Sequence, residues 1–157
     1  MFREIRRLNK QIMNREEVIQ MLETATNGVL AVAGDDEYPY AVPLSFAYAD
    51  GKIYFHSTTA TSHKMDAIKK NPKVSFCVVT QDHIIPDDFN TLYKSAIAFG
   101  IARVLTDEQE IMKGILAITR KYSGEYIEKG KEHIEKYRGK FCVVEIEIEH
   151  LTGKLGV

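Results

Sequence analysis

The chain has 157 residues, 45% of them apolar and 27% charged, with 21 Lys and Arg against 22 Asp and Glu. That length suits one domain able to bury a core, and a net charge of −1 excludes a broad electrostatic grip on nucleic acid or an anionic membrane. No apolar run approaches the length of a membrane span, and the first residues lack the apolar stretch of a signal peptide.

Arg3, Arg6, Arg7 and Lys10 make a local basic excess in an N-terminal arm, residues 1–13, that the charge pattern predicts to be solvated. Asn14 and Glu17 have the spacing of a capping box, and Val18, Ile19, Met21 and Leu22 follow as the apolar stripe of a first helix. Asn27-Gly28 closes it. GVLAVA (28–33) reads as a short buried strand and GDDEYP (34–39) as turn chemistry. From Tyr40 the pattern has period two, with Tyr40, Val42, Leu44, Phe46 and Tyr48 on one face and Ala41, Pro43, Ser45, Ala47 and Ala49 on the other. Asp50-Gly51 marks a hairpin, and KIYFHS (52–57) returns as the next strand. Pro43 donates no ladder bond, so it predicts a bulge or an edge strand.

A helix over about 62–70 stops at Asn71-Pro72. KVSFCVV (73–79) is a strand, QDHIIPDDFN (81–90) a loop, and YKSAIAFGIARVL (93–105) a long strand. Thr106 and Gln109 are spaced as a second capping box, opening a helix through Ile111, Ile115 and Ile118; Ser123-Gly124 breaks it before a more charged helix to Tyr137. FCVVEIEIEH (141–150) alternates apolar residues with glutamate, predicting one buried and one wet face. Cys77 and Cys142 lie in apolar strand-like runs without CxxC spacing, which predicts buried free thiols and a reducing, cytoplasmic setting. The sum is a single domain over 1–157, mainly β with peripheral α. Its six strands are joined mostly by hairpin-length turns, and they close best as an antiparallel barrel with flanking helices.

Two readings of IYFHSTTATSHKMDAIKKNP (53–72) stay open. In one, Thr61 or Ser62 caps the helix and Lys64 faces water. In the other, the first helical amides, the hydroxyls of Ser57, Thr58, Thr61 and Ser62, and Lys64 form a phosphate seat. A cation in the first turn opposes the helix dipole, and an anion bound there would account for it. Beside it, Pro43 interrupts pairing near Leu44 and Ser45, leaving backbone groups for a flat heterocycle between walls from Val42 and Tyr54. The histidines have no metal-ligand spacing, so no zinc site is expected. No GxSxG, P-loop or GxGxxG occurs.

Three segments, YPYAVPLSFAYADGKIYFHS, SHKMDAIKKNPKVSF and YKSAIAFGIARVLTDEQE, together with the closing EIEIEHLTGKLG, resemble the FMN-binding split-barrel superfamily. The likeness is to its pyridoxamine 5′-phosphate oxidase-related branch, which includes the nitroimidazole-resistance (Nim-type) proteins. It implies a six-stranded antiparallel Greek-key split β-barrel that pairs into a homodimer, with one FMN per protomer in the interface. It places Pro43, Leu44 and Ser45 along the flavin ring, beside Val42, and His56, Ser57 and Thr58 along the ribityl chain and phosphate. Ser62, His63 and Lys64 match the family's Ser-Arg-Lys phosphate run, and Tyr93, Ser95 and Lys154 approach the flavin from this chain or its partner.

Tyr40 stands at one family arginine position, His63 at another, and the arginine- and histidine-bearing segment that holds the pyridoxal substrate is missing before Val157. The resemblance therefore implies FMN-dependent reduction of a small nitro or quinone-like acceptor rather than vitamin B6 oxidation, with His56 as the candidate proton donor. The alternatives are a non-enzymatic flavin or haem storage or sensor protein, with His56, His63 or His150 as haem ligand, and a deazaflavin in place of FMN.

Overall fold

The computed structural model describes every residue except Arg7, Leu8 and Thr59, and Lys10 in its backbone alone. Arg7 of the basic arm and Thr59 of the hydroxyl run therefore lie outside the described residues. In chain order come α1 (Arg15–Thr24), β1 (Gly28–Ala33), β2 (Pro39–Leu44), β3 (Ala47–Ala49), β4 (Lys52–Ser57) and α2 (His63–Lys70). They are followed by β5 (Lys73–Ile85), β6 (Asn90–Val104), α3 (Glu108–Ser123), α4 (Ile127–Lys136) and β7 (Cys142–Leu155).

Among the described residues the strands form one seven-stranded sheet in the order β2-β1-β5-β6-β7-β4-β3, and every pairing is antiparallel. The outermost strands, β2 and β3, are joined only by Ser45 and Phe46. A sheet whose two edges are tied by two residues has to curl until those edges meet, and the result is a barrel split along that seam. The seventh strand arises here: the single run expected over 40–49 breaks at Ser45-Phe46 into β2 and β3. Pro43 lies on β2, an edge strand, where its missing N–H is tolerated.

Leu30, Phe46, Ile53, Phe55, Phe76 and Ile146 fill the barrel, closed by Val18 and Leu22 of α1 and by Met65 and Ile68 of α2. Alternation on β4 sends Tyr54 the other way, into a second cluster with Ile115 and Ile118 of α3 and Ile134 of α4. Gly114 lets α3 lie this close: a Cβ there would stand 2.8 Å from Val143 and 2.9 Å from Tyr54. The Asp50-Gly51 hairpin has positive φ at both residues, 51° and 79°, as a two-residue β-hairpin turn requires.

Five expectations are corrected. Residues 81–90 are not all loop: β5 and β6 remain paired from Gln81↔Lys94 to Ile85↔Asn90, beyond an irregularity between Val79 and Gln81 that hides the alternation, and the turn is confined to 86–89. Asp107, not Thr106, caps α3, its carboxylate accepting from the Glu110 N–H at 3.0 Å. The Thr106–Gln109 box is therefore displaced by one residue, and the Glu110 side chain pairs with Arg103 instead of closing a box on Asp107. Glu145 is not on a wet face; it is 3% exposed and satisfied by the Arg103 guanidinium and the Tyr54 hydroxyl, with Lys52 at 3.6 Å. The N-terminal arm is not wholly solvated, because Phe2 stacks on His150 at 4.8 Å and on Phe99 at 5.4 Å. The cysteines are free, as expected, and half-buried rather than buried.

Candidate functional site

The stretch between β4 and α2 has the helix cap that one reading of its sequence expected. Ser62 is the N-cap, its hydroxyl accepting from the Met65 N–H at 3.3 Å, so the helix has an ordinary start. Lys69 ties the preceding loop down by donating to the Ala60 carbonyl at 2.8 Å. Ser57 is buried at 6% exposure, and Thr58 and Thr61 are exposed. Lys64, half-buried in the first turn, has no ion-pair partner among the described residues.

His63 belongs to the β1–β2 corner. Its ring stacks on Tyr40 at 4.0 Å, its Nε2 accepts from the Asp35 N–H at 3.4 Å, and the Asp35 carboxylate lies 3.9 Å away. Tyr40 and His63 thus lean on each other and bring the start of α2 against β2. His56, on β4, has its pKa lowered by partial burial and then by the Lys64 charge. It is therefore neutral at pH 7 and must take up a proton before it can give one.

On β2 the side chains alternate: Val42 packs against the barrel core, Pro43 and Ser45 are exposed, and Leu44 is half-buried. Val42 therefore offers its backbone, not its side chain, to the outer surface. Being outermost, β2 keeps one row of backbone groups without a strand partner among the described residues. Fewer groups are free near Ser45 than the sequence suggested, since the Leu44 carbonyl accepts from Asn27 Nδ2 at 3.4 Å. Tyr54 forms no wall of a ligand site. It is 1% exposed under α3, its hydroxyl donates to Glu145 at 3.3 Å, and burial with the Glu145 charge pushes its pKa up to about 12.

Sequence reasoning missed the clamp on the seam. Lys121 Nζ, in the last turn of α3, donates to the carbonyls of Leu22, Ala25 and Phe46, and lies 4.1 Å from the Phe46 ring centroid. Tyr122 meets both backbone polar groups of Phe46: its hydroxyl accepts from the Phe46 N–H at 3.1 Å and lies 2.6 Å from the Phe46 carbonyl. The carbonyls at the end of α1 welcome a cation, but burial pulls the Lys121 pKa down to about 8. The only sequence trace is a Lys-Tyr pair before Ser123-Gly124, which resembles any helix end.

Tyr93, Ser95 and Lys154 form a separate cluster on the outer face of β6 and β7. Ser95 stands opposite Lys154 in register, Lys154 Nζ is 5.7 Å from the Tyr93 ring centroid, and Ser95 and Lys154 line a cavity of about 210 Å³ with Ile5 and Arg6. The row Pro43↔Val29↔Cys77↔Ile97 separates β2 from β6 by three strand spacings, about 14 Å along the sheet. One protomer does not bring this cluster to the α2 end of β2. Of the three histidines considered as haem ligands, His63 is stacked on Tyr40 and His150 lies under Phe2, while His56 faces a groove of about 480 Å³ between the barrel and α3–α4. No group of three or more His, Cys, Asp or Glu side chains placed to hold a metal ion occurs among the described residues.

A family model described as pyridoxamine 5′-phosphate oxidase matches residues 14–155. The chain belongs to the pyridoxamine 5′-phosphate oxidase family. Solved structures repeat the fold seen here. A candidate 5-nitroimidazole antibiotic resistance protein from Bacteroides thetaiotaomicron is 17% identical, with a TM-score of 0.75 over 92% of this chain and 86% of that one. A conserved hypothetical protein from Mycobacterium tuberculosis is 20% identical, with a TM-score of 0.80 over 96% and 90%. An FAD- and haem-binding protein from Mycobacterium smegmatis is 20% identical, with a TM-score of 0.77 over 94% and 74%. At these identities the likeness is one of fold. Among curated proteins none matches the sequence. No helix among the described residues is long and apolar enough to cross a membrane.

Proposed function

We propose that this member of the pyridoxamine 5′-phosphate oxidase family is an FMN-binding oxidoreductase that acts as a homodimer and reduces a small nitro or quinone-like acceptor. Lys64 carries the reading: a half-buried cation in the first turn of α2, without an ion-pair partner among the described residues, directly after His63, which stacks on Tyr40 of the edge strand β2. The residues fit a phosphorylated flavin. Lys64 and the exposed hydroxyl of Thr58 suit the phosphate, and the Pro43–Ser45 backbone at the sheet edge suits the polar rim of a flat ring. When bound, the flavin supplies the electron transfer; the chain's part is to bind it, orient it and keep water from one face. His56 enters as a proton acceptor that passes its proton on, since its lowered pKa leaves it neutral at the start.

Two features support the dimer. Val29, Cys77, Ile97 and Phe99 make a partly exposed apolar row across the outer face of β1, β5 and β6. Tyr93, Ser95 and Lys154 lie along the same face, away from Lys64, where a second protomer can present them to the flavin of the first. The test is the visible spectrum of the purified chain mixed with FMN and passed through gel filtration. Flavin bands that stay with the protein are expected, and Lys64→Ala is expected to weaken FMN binding by about 1–3 kcal/mol, the scale of a charge-assisted hydrogen bond. FMN eluting free from the unmodified chain overturns the reading. An unchanged FMN affinity in Lys64→Ala removes Lys64 from the phosphate site.

A further inference from the structure

The groove on which His56 opens has a chemistry of its own. Its floor is apolar, from Ile115 and Ile118 of α3 and Ile134 of α4, and its walls include the rings of Tyr122 and Tyr126. Its basic groups come from two sides, His56 from the barrel and Lys129 and His133 from α4, with Thr119 and Ser123 of α3 as further polar lining. Lys129 and His133 are four residues apart and share one helix face, so a single acid group can meet both. Among the described residues that line it there is no Asp or Glu, on a chain that carries 22 of them. The contrast with the cavity beside β1 is direct, since that one is lined by Glu37 and Glu149 as well as Lys73. Lys129 has no ion-pair partner among the described residues, whereas its neighbour Lys131 is paired with Glu128 at 3.2 Å.

We propose that this groove is a binding site for a planar aromatic carboxylate. The ring would lie on the isoleucine floor between the tyrosines, the carboxylate toward Lys129 and His133, and the far end of the molecule toward His56. The volume of about 480 Å³ suits a molecule of one or two rings. A groove without acid groups and with a converging cation selects the anion over its neutral isostere, because only the anion gains the charge-assisted contact with Lys129. Through His56 the site adjoins the seat assigned above to the flavin, so the inference rests on that reading for one point only: that the occupant is the acceptor.

The test titrates 4-nitrobenzoate and its neutral isostere 4-nitrobenzamide into the full chain by calorimetry, with and without FMN, while FMN affinity is followed separately by flavin fluorescence. Saturable binding of 4-nitrobenzoate is expected, at least about tenfold tighter than the amide. Lys129→Glu, an exposed substitution that leaves the core intact, is expected to weaken the benzoate by about tenfold or more and to leave FMN affinity unchanged. Equal binding of acid and amide, a benzoate affinity unmoved by Lys129→Glu, or no saturable binding would each overturn the proposal. The two readings fail separately: benzoate bound without FMN retention keeps the groove and sinks the flavin, and FMN retained without benzoate does the reverse.

Discussion

The run from Pro39 to Ala49 is one alternating sequence placed in two environments. On both sides of the seam the large residues point inward: Tyr40, Val42, Leu44, Phe46 and Tyr48 all pack on the barrel core. The small residues facing outward differ in what covers them. Ala41, Pro43 and Ser45 of the first half are exposed, whereas Ala47, 1% exposed, and the half-buried Ala49 lie under α3. The pleat sets which way a side chain points, and the rest of the chain decides whether that direction is filled. The half left uncovered is the half that a flat ligand can reach.

The largest way to break this comparison is at the seam itself. Phe46 is fully buried, packs edge-on against Phe76 at 4.8 Å, and carries Lys121 on its face. Phe46→Ala is expected to cost about 3–5 kcal/mol, as a large buried ring does when removed. A urea midpoint within error of the unmodified chain would show that the two halves do not need this joint.

Lys121 gives a smaller effect with a pH signature. Its pKa is about 8 in the folded chain against the ordinary 10.5, so between those values the unfolded chain binds more protons than the folded one. Stability that is held back below pH 8, while the buried ammonium stays charged, is recovered as the pH rises from about 8 to 10.5. Measured as the difference from Lys121→Met, which has no such group, the denaturation midpoint should climb across that window. A flat difference would mean that the three carbonyls hold the proton on Lys121 throughout.

What was legible in the sequence follows from the range of the forces involved. Helix starts are local, and the Asn14–Glu17 box and the stop before Pro72 are seen where they were expected. The barrel's inward face was legible as well, since alternation records it residue by residue. Glu145 was not. Its cover comes from Arg103 on β6 and Tyr54 on β4, and nothing in EIEIEH distinguishes it from the exposed Glu147 and Glu149. The long hairpin of β5 and β6 was hidden by Gln81, Asp82 and His83, polar because their strands have left the barrel. At the candidate site, Lys64 stood out because a cation in a first helical turn is out of place. The Lys121–Tyr122 clamp had no such oddity, since its acceptors are backbone carbonyls, which leave no mark on residue type.

The smallest effect on the protomer sharpens the comparison from the outside. Ile97 faces the same outer surface as Pro43, in one row with Val29 and Cys77, and is 38% exposed. If that face only meets water, Ile97→Glu should change little at all, as surface substitutions do, within about 0.5 kcal/mol. If it is the face on which two protomers meet, the same change places a carboxylate in an apolar contact and its symmetry mate across from it, so each dimer suffers it twice. Sedimentation velocity then separates the cases. The unmodified chain is expected to run as a dimer and Ile97→Glu as a monomer with an unchanged circular dichroism spectrum. A monomeric unmodified chain, or a variant that stays dimeric, would leave the β6–β7 cluster without a flavin to reach. The uncovered half of the barrel would then have to hold its ligand alone.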